Sequence, residues 1–174
     1  MFMIKVIGCL IILISSTLIG LEYSKKYTER LNNLIHIQNC IQILETEIVY
    51  ASTPIPIALK NIYAKGNKKV SFLFEEIREY LLSNTNSSLY DSFSYILEKN
   101  KDDIFLENED IEVIISLARV LGTSDRIDQQ KHIKTALTNI DMKQKDAHMD
   151  KIKNGKMYRS LGLLFGFALV LILY

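Results

Sequence analysis

The sequence predicts an all-α fold: a membrane-anchored bundle of about six helices, whose long first and last helices continue into terminal transmembrane segments. Two observations carry this prediction. An apolar, uncharged run lies near each end of the 174-residue chain. Between the runs, apolar residues recur at the three- and four-residue spacing of helices, and no stretch alternates convincingly between apolar and polar residues as a half-buried strand would.

Each apolar run is almost long enough to cross a bilayer. Residues 6–21 and 160–174 carry no charged side chain and would extend roughly 24 and 22 Å as helices, against a hydrocarbon thickness of ~30 Å. Lys5 and Arg159 can lengthen the two spans by snorkelling. A cleavable signal peptide is the alternative for the first run, and an interfacial or partner-buried tail is the alternative for the second.

Basic residues flank the inner side of both runs and predict the topology. They are Lys25, Lys26, Arg30, Lys151, Lys153, Lys156 and Arg159. By the positive-inside rule, we expect a cytoplasmic helical domain over residues 22–156. Transmembrane helices at 1–21 and 157–174 would then place both termini across the membrane.

Small residues four apart occur in both apolar runs. Ser16 and Gly20 lie in the first, and Gly162 and Gly166 lie in the second. Such spacing lets two helix backbones approach closely in lipid. These four residues are therefore predicted to pack membrane helices together, either within one chain or between copies.

Capping and turn residues divide the central region into helices. Thr53 is expected to cap a helix that has Pro54 at its first position and ends before Gly66. Other expected caps and stops are Ser88, Asn108, Gly122 and Ser124. Residues 141–156 are polar nearly all round, and we expect them to form a solvated stalk leading into the last membrane helix.

Motifs for chemistry are missing from the sequence. There is no H-E-x-x-H, C-x-x-C, phosphate loop or nucleophile elbow. The net charge of +1 gives no electrostatic footprint for nucleic acid. We therefore expect no enzyme activity, no cofactor, no metal and no nucleic-acid partner, and we expect Cys9 and Cys40 to be separate reduced thiols.

Two glutamates precede the proline turn. Glu45 and Glu47 are two residues apart, so they point to different sides of a helix and cannot act there as an acid–base pair. Each has two readings that the sequence leaves open. One is an ordinary solvated side chain, and the other is a charge that contacts a partner or locks the bundle.

Three strings together resemble the stage III sporulation protein AB family. They are LETEIVYASTPIPIAL at 44–59, LGTSDRIDQQKHI at 121–133 and KNGKMYRSLGLLFGFALVLIL at 153–173. The resemblance implies a membrane protein of the channel apparatus that joins mother cell and forespore during engulfment, on the mother-cell side in the outer forespore membrane. It also implies a helical domain similar to those of the inner-membrane platform proteins of type II secretion and type IV pili.

Partners and sites also follow from this resemblance. The expected partners are a secretion-type ATPase (the AA protein of the apparatus), other channel membrane subunits, the bilayer and, as a further possibility, a second copy. The candidate partner-binding residues are Glu45, Glu47, Asp125, Arg126 and His132, and the structural ones are Thr53, Pro54, Gly122 and Ser124. Ile57 departs from the pattern, since a polar or acidic residue is expected there.

Two other functions stay open from the sequence. A membrane-anchored signalling protein would need a sizeable extracytoplasmic sensor, which the predicted topology does not leave room for. A membrane enzyme would need polar catalytic groups at membrane depth. Only Ser15, Ser16 and Thr17 are available there, without a nearby base.

Overall fold

A computed structural model describes residues 2–84, 86–121 and 126–173 of the chain, and side-chain surroundings for 7–84, 86–121 and 127–172. Every regular element within these residues is helical. The elements are α1 (Phe2–Glu45), a π turn (Thr46–Tyr50), α2 (Ile55–Lys65), α3 (Lys68–Ser83), α4 (Leu89–Asn100), α5 (Asn108–Val120), α6 (Arg126–Asp150), a second π turn (Lys151–Gly155) and α7 (Lys156–Leu173).

The predicted fold class is confirmed. Counting each π turn with its flanking helices, the described residues form six helical stretches, of which the first and last are much the longest. Both of these are long and apolar enough to cross a membrane, over Ile7–Tyr50 and Ile127–Ile172.

Packing divides the chain into two compact units. The terminal unit comprises Met1–Leu31 and Asp146–Tyr174, and the central unit comprises Asn32–Lys145. These units are defined by contacts between residues, whereas the predicted bounds at residues 21 and 157 mark where the chain is expected to leave and enter the membrane. The predicted domain division therefore stays a prediction.

The central unit is built around a continuous apolar core. Its helices each bury aliphatic side chains, and Phe74 of α3 meets Phe93 of α4 edge-to-face with ring centroids 6.1 Å apart. Fully buried members include Leu34, Ile37, Ile41, Leu44, Leu59, Ile62, Leu73, Ile77, Leu97, Ile104 and Ile133. Burying each such side chain contributes about 1.5–3 kcal/mol, so this core dominates the stability of the unit.

A buried thiol lies in the same core. Cys40 of α1 has no exposed surface, and the turn between α2 and α3 packs on it at Gly66, where an added Cβ would lie 3.0 Å from the sulfur. Burial disfavours the thiolate and raises the pKa of Cys40 to about 12. The expected free thiol is observed at this position and at Cys9.

Polar side chains cap the N-termini of several helices. Ser88 caps α4 as predicted, in a reciprocal box in which Ser88 accepts from the Asp91 amide and Asp91 accepts from the Ser88 amide. The hydrogen bonds from Ser88 lower the pKa of Asp91. Asn67, which the sequence analysis missed, caps α3 by accepting from the Lys69 amide.

Two predicted caps are wrong by one residue. Helix α2 begins at Ile55 and its N-cap is Pro54, because the Thr53 hydroxyl is engaged by Glu47 and does not face the helix amides. Helix α5 has Asn108 as its first residue. Its N-cap is Glu107, which forms a capping box with Asp110.

The remaining predicted stops fall on a segment that is not described. Gly122, Ser124 and Asp125 lie outside the described residues, between the end of α5 at Val120 and the start of α6 at Arg126.

The expected solvated stalk at 141–156 is also wrong in part. Ala147 is 1% exposed and Gly155 is buried, because small residues there let the helices of the terminal unit come together.

Candidate docking and packing sites

Glu47 lies at the centre of a polar cluster in the first π turn. It is 6% exposed, and its Oε2 accepts hydrogen bonds from the Thr53 hydroxyl and the Asn61 amide, each at 2.9 Å. Its Oε1 pairs with Lys65 Nζ at 2.7 Å. We call Glu47, Thr53, Asn61 and Lys65 the Glu47 cluster.

This environment favours the ionised form of Glu47. The hydrogen bond and charge of Lys65, with the hydrogen bonds from Asn61 and Thr53, hold the pKa of Glu47 below its usual range despite burial. Because these residues lie in the π turn, in the linker before α2 and within α2, the cluster fixes the turn between α1 and α2. Glu47 therefore locks the bundle, while its contact with a partner stays a prediction.

The turn held by the Glu47 cluster carries an exposed apolar surface. Tyr50 is 69% exposed and Ile57 is 52% exposed. Between them Ser52 has φ of +54°, a left-handed conformation that non-glycine residues rarely adopt. A strained backbone fixed by its surroundings is typical of functional turns.

The other predicted partner-binding residues belong to the central unit, and among them Glu45 and His132 have described side chains. Glu45 is half-buried near the end of α1, and His132 is exposed on α6. Arg126 is the first residue of α6, and its side chain lies outside the described surroundings. Partner contact by these residues stays a prediction.

In the terminal unit, the four small membrane residues lie together. A Cβ added to Gly162 would lie 2.9 Å from Gly20 Cα, and one added to Gly166 would lie 3.2 Å from Ser16 Cβ. The Ser16 hydroxyl donates to the Gly162 carbonyl. α1 and α7 therefore pack backbone to backbone within one chain.

Polar and aromatic contacts continue this packing past the apolar runs. Arg159 Nε donates to Ser24 Oγ at 3.0 Å, and the Tyr158 ring stacks on Tyr23 and Tyr27 with centroids 5.7 and 5.9 Å away. Such rings suit a membrane–water boundary, where an apolar body and a polar tip are both satisfied.

A buried arginine lies one helical turn further on. Arg30 is 4% exposed and pairs with Asp150 Oδ2 at 3.1 Å. Directly after Asp150, the second π turn places Gly155 against Ser24, where a Cβ would lie 3.3 Å from the hydroxyl. The π turn thus turns the smallest residue of the segment toward α1.

The sequence held a signal for some of these contacts that was not used. Ser16, Gly20 and Ser24 are spaced four apart, so the small-residue stripe extends into the polar part of α1. The Arg30–Asp150 pair had no such signal, since its members are 120 residues apart.

Metal-binding geometry is not found in the part of the chain that the structure describes: no group of three or more His, Cys, Asp or Glu side chains there could hold an ion. A groove of about 840 Å³ runs along α1 and α7 of the terminal unit. Its lining is apolar apart from Ser15, Ser16 and the tyrosine hydroxyls. A surface of this kind suits packing in lipid rather than acid–base chemistry.

Known proteins resemble the chain along nearly its whole length. The model of the family described as stage III sporulation protein AB matches residues 5–174. A protein of that name from Bacillus subtilis (strain 168) is 36% identical over 171 residues, which is 98% of this chain and 99% of the relative. A solved structure of a stage III sporulation protein AB superposes with a TM-score of 0.65 and 32% identity, covering 72% of this chain and 98% of its own.

Proposed function

The chain belongs to the stage III sporulation protein AB family, and we propose that it is a membrane platform subunit of the channel apparatus between mother cell and forespore. Its own role there is structural rather than catalytic. The observation that supports this most is the division into an apolar terminal unit and a helical central unit with a water-exposed surface. One unit suits anchoring, and the other suits docking.

The terminal unit is proposed to anchor the protein in the membrane. The backbone contact at Gly20 and Gly162 and the tyrosine stack at its polar end suit a helix pair that crosses a bilayer. In the proposed topology the central unit lies in the mother-cell cytoplasm and both termini lie across the outer forespore membrane. The apolar groove of this unit would contact other membrane subunits of the apparatus.

This topology can be tested by thiol labelling of intact vegetative cells that express the chain in the plasma membrane, where the outer side of the membrane faces the medium. Phe2→Cys and Tyr174→Cys, each in a Cys9→Ser background, are expected to react with a membrane-impermeant maleimide from the outer side. Glu98→Cys on α4 is the matched control, since it is 68% exposed and is expected to react only after lysis. Labelling of the termini only after lysis would contradict the topology.

The central unit is proposed to dock the secretion-type ATPase of the apparatus. Nucleotide-driven motion would then pass to the membrane through α1 and α6, because each of these helices contributes residues to both units. Among the candidate docking residues whose side chains are described, Glu45 is half-buried and His132 is exposed, so both are accessible to a partner.

Capture of the ATPase tests this role. The full chain in lipid nanodiscs is expected to retain the purified ATPase, and Glu45→Lys or His132→Glu is expected to weaken capture at least about tenfold, as charge reversal at an interface does. Glu98→Lys and His148→Glu are matched controls at other exposed positions. Failure of the wild-type chain to bind a folded ATPase would count against the docking role. If both variants capture the ATPase as well as the wild-type chain does, the ATPase-binding site lies elsewhere on the chain.

A further inference from the structure

Charge is segregated along the central unit, although the whole chain is nearly neutral. Between Glu47 and Glu75 the sequence holds no acidic residue, and the lysines there are Lys60, Lys65, Lys68 and Lys69. Glu75 itself pairs with Arg78 and lies within the electrostatic reach of Lys60 and Lys68. Residues 98–112 show the opposite balance. Their acids are Glu98, Asp102, Asp103, Glu107, Glu109, Asp110 and Glu112, against Lys99 and Lys101. Separate fields of opposite sign on one unit can orient a second molecule that carries the same fields.

The basic field adjoins a short apolar strip that runs from Pro54 onto α2. Pro54, Ile57 and Lys60 are exposed at three-residue spacing, so they share the outer face of the helix. Lys65 and Lys68 lie at the C-terminal end of this strip. We call these five residues the basic surface. It is preorganised, since Lys65 belongs to the Glu47 cluster and Lys68 lies over the Tyr63 ring, 3.5 Å from its centroid.

The acidic field surrounds an aromatic residue in the loop between α4 and α5. Ile104 and Leu106 are 1% and 5% exposed, and the Ile104 carbonyl accepts from Asn33 Nδ2 at 2.8 Å, so the loop is fixed on both sides of Phe105. Phe105 itself is half-buried and has φ of +54°. A phenylalanine in this left-handed conformation is strained, because its Cβ crowds the backbone. It persists here because its two neighbours are anchored.

Exposed carboxylates border this phenylalanine. Asp102 and Asp103 precede it and Glu107 follows it, and all three are exposed. We call residues 102–107 the acidic loop. The two surfaces therefore each place an exposed or half-buried apolar side chain beside charges, and the charges of the two surfaces have opposite sign.

We propose that the acidic loop of one copy docks on the basic surface of a second copy, with Phe105 against Ile57 and the aspartates facing Lys60 and Lys68. A second copy is favoured because this chain itself supplies both sets of complementary charges and both apolar side chains. The contact joins two different surfaces, so it is heterologous and repeats from copy to copy. It builds a ring where the rotation closes and a filament where it does not.

Charge exchange between copies tests the contact on the full chain in detergent micelles. Sedimentation velocity is expected to show association that weakens with NaCl. Lys60→Glu with Lys68→Glu, and separately Asp102→Lys with Asp103→Lys, are each expected to weaken association at least about tenfold. An equimolar mixture of the two variants is expected to regain it, because each then offers the surface that the other lacks.

Further variants separate this contact from folding and from membrane packing. Lys131→Glu with Lys134→Glu, at exposed positions on α6, is the matched control and is expected to associate like wild type. Phe105→Asn keeps a residue that tolerates the left-handed backbone while removing the anchor. It is expected to weaken association without a charge change and without lowering the melting temperature.

Three results would overturn the proposal. They are a wild-type chain that stays monomeric at the highest protein concentration tested, association that is equal in all variants, and a mixture of the two charge-exchanged variants that fails to regain association. Measuring ATPase capture with the same variants distinguishes self-docking from the docking of the ATPase proposed above. Loss of capture at unchanged mass would assign the basic surface to the ATPase and would also overturn self-docking.

Discussion

The terminal and central units are both helical, yet they are held together by different means. In the terminal unit, α1 and α7 meet through glycine and serine, and their large aliphatic side chains face outward. In the central unit the large aliphatic side chains face inward and fill a core. The difference matches the lipid surroundings proposed for the terminal unit: lipid offers no hydrophobic gain for burying leucine, so close backbone packing replaces it.

Each unit also contains one π turn beside a buried charge. Glu47 lies within the first turn and pairs with the exposed Lys65, while Arg30 pairs with Asp150 just before the second turn. In both pairs one member is buried and the other reaches water. π turns often mark functional positions in helices. We therefore expect changes in side-chain packing at these two turns to change the backbone path of the helices that contain them.

The largest effect is expected from filling the backbone contact of the terminal unit. Gly162→Leu places a Cβ 2.9 Å from Gly20 Cα and from the Ser16 carbonyl, so α1 and α7 must separate, at a cost of about 3 kcal/mol. Near-UV circular dichroism of the tyrosine stack should fall and melting in micelles should come earlier. Gly8→Leu is the control, since nothing lies within 4 Å of an added Cβ there. Equal loss in both variants would show that the loss does not come from the backbone contact between α1 and α7.

A smaller effect is expected in the central unit from Glu47→Ala. Asn61, Thr53 and Lys65 lose their shared acceptor, which costs about 2 kcal/mol and lowers Tm by about 4–8 °C for a chain of this size. Circular dichroism melting of the full chain gives the comparison. Glu45→Ala is expected to stay within about 0.5 kcal/mol of wild type. A larger loss there than at Glu47 would show that the cluster does not hold the turn.

The charge of Glu47 can be separated from its shape by pH. Glu47→Gln keeps an acceptor oxygen but loses the ion pair with Lys65, and we expect a loss of about 1 kcal/mol at pH 7. Since folding lowers the pKa of Glu47, its stabilisation is present above the usual carboxylate pKa and is lost as pH falls through the lowered value. The stability difference between the two proteins should therefore narrow progressively as the pH falls below the ordinary glutamate pKa of about 4.3. A constant difference down to pH 3 would contradict this account.

The smallest effect is expected at the cap of α4. Ser88→Ala removes the acceptor for the Asp91 amide and should cost roughly 0.5–1 kcal/mol, seen as a small shift in chemical denaturation. Ser87→Ala, one residue earlier, is the control and should be neutral. A neutral Ser88→Ala would show that the Asp91 half of the capping box is sufficient.

Local signals in the sequence predicted most of the fold and little of the candidate sites. Periodicity and capping residues such as Ser88 act over one helical turn, so they are readable without tertiary structure. Thr53 looked like a cap because its type favours one, but a carboxylate six residues earlier took its hydroxyl. The small-residue stripe predicted the contact at Gly20 and Gly162, because two helix backbones can approach this closely only where the side chains are small.

Long-range pairs had no such signature. Arg30 with Asp150 and Asn33 with the Ile104 carbonyl join residues that only the folded chain brings together. Phe105 was also missed, because its left-handed backbone depends on anchoring of both neighbours rather than on its own preference. Membership of the stage III sporulation protein AB family, in contrast, was evident from three strings that span the chain.

The buried thiol of Cys40 can serve as a chemical probe of local unfolding in the central unit. A group that is fully buried and hardly ionised near neutral pH cannot react with a water-soluble alkylating reagent while α2 and α3 cover it. Reaction must wait for a transient local unfolding, so its rate measures how often that part of the bundle opens. The alkylation rate of Cys40 in the native chain is therefore a direct measure of how often this core opens.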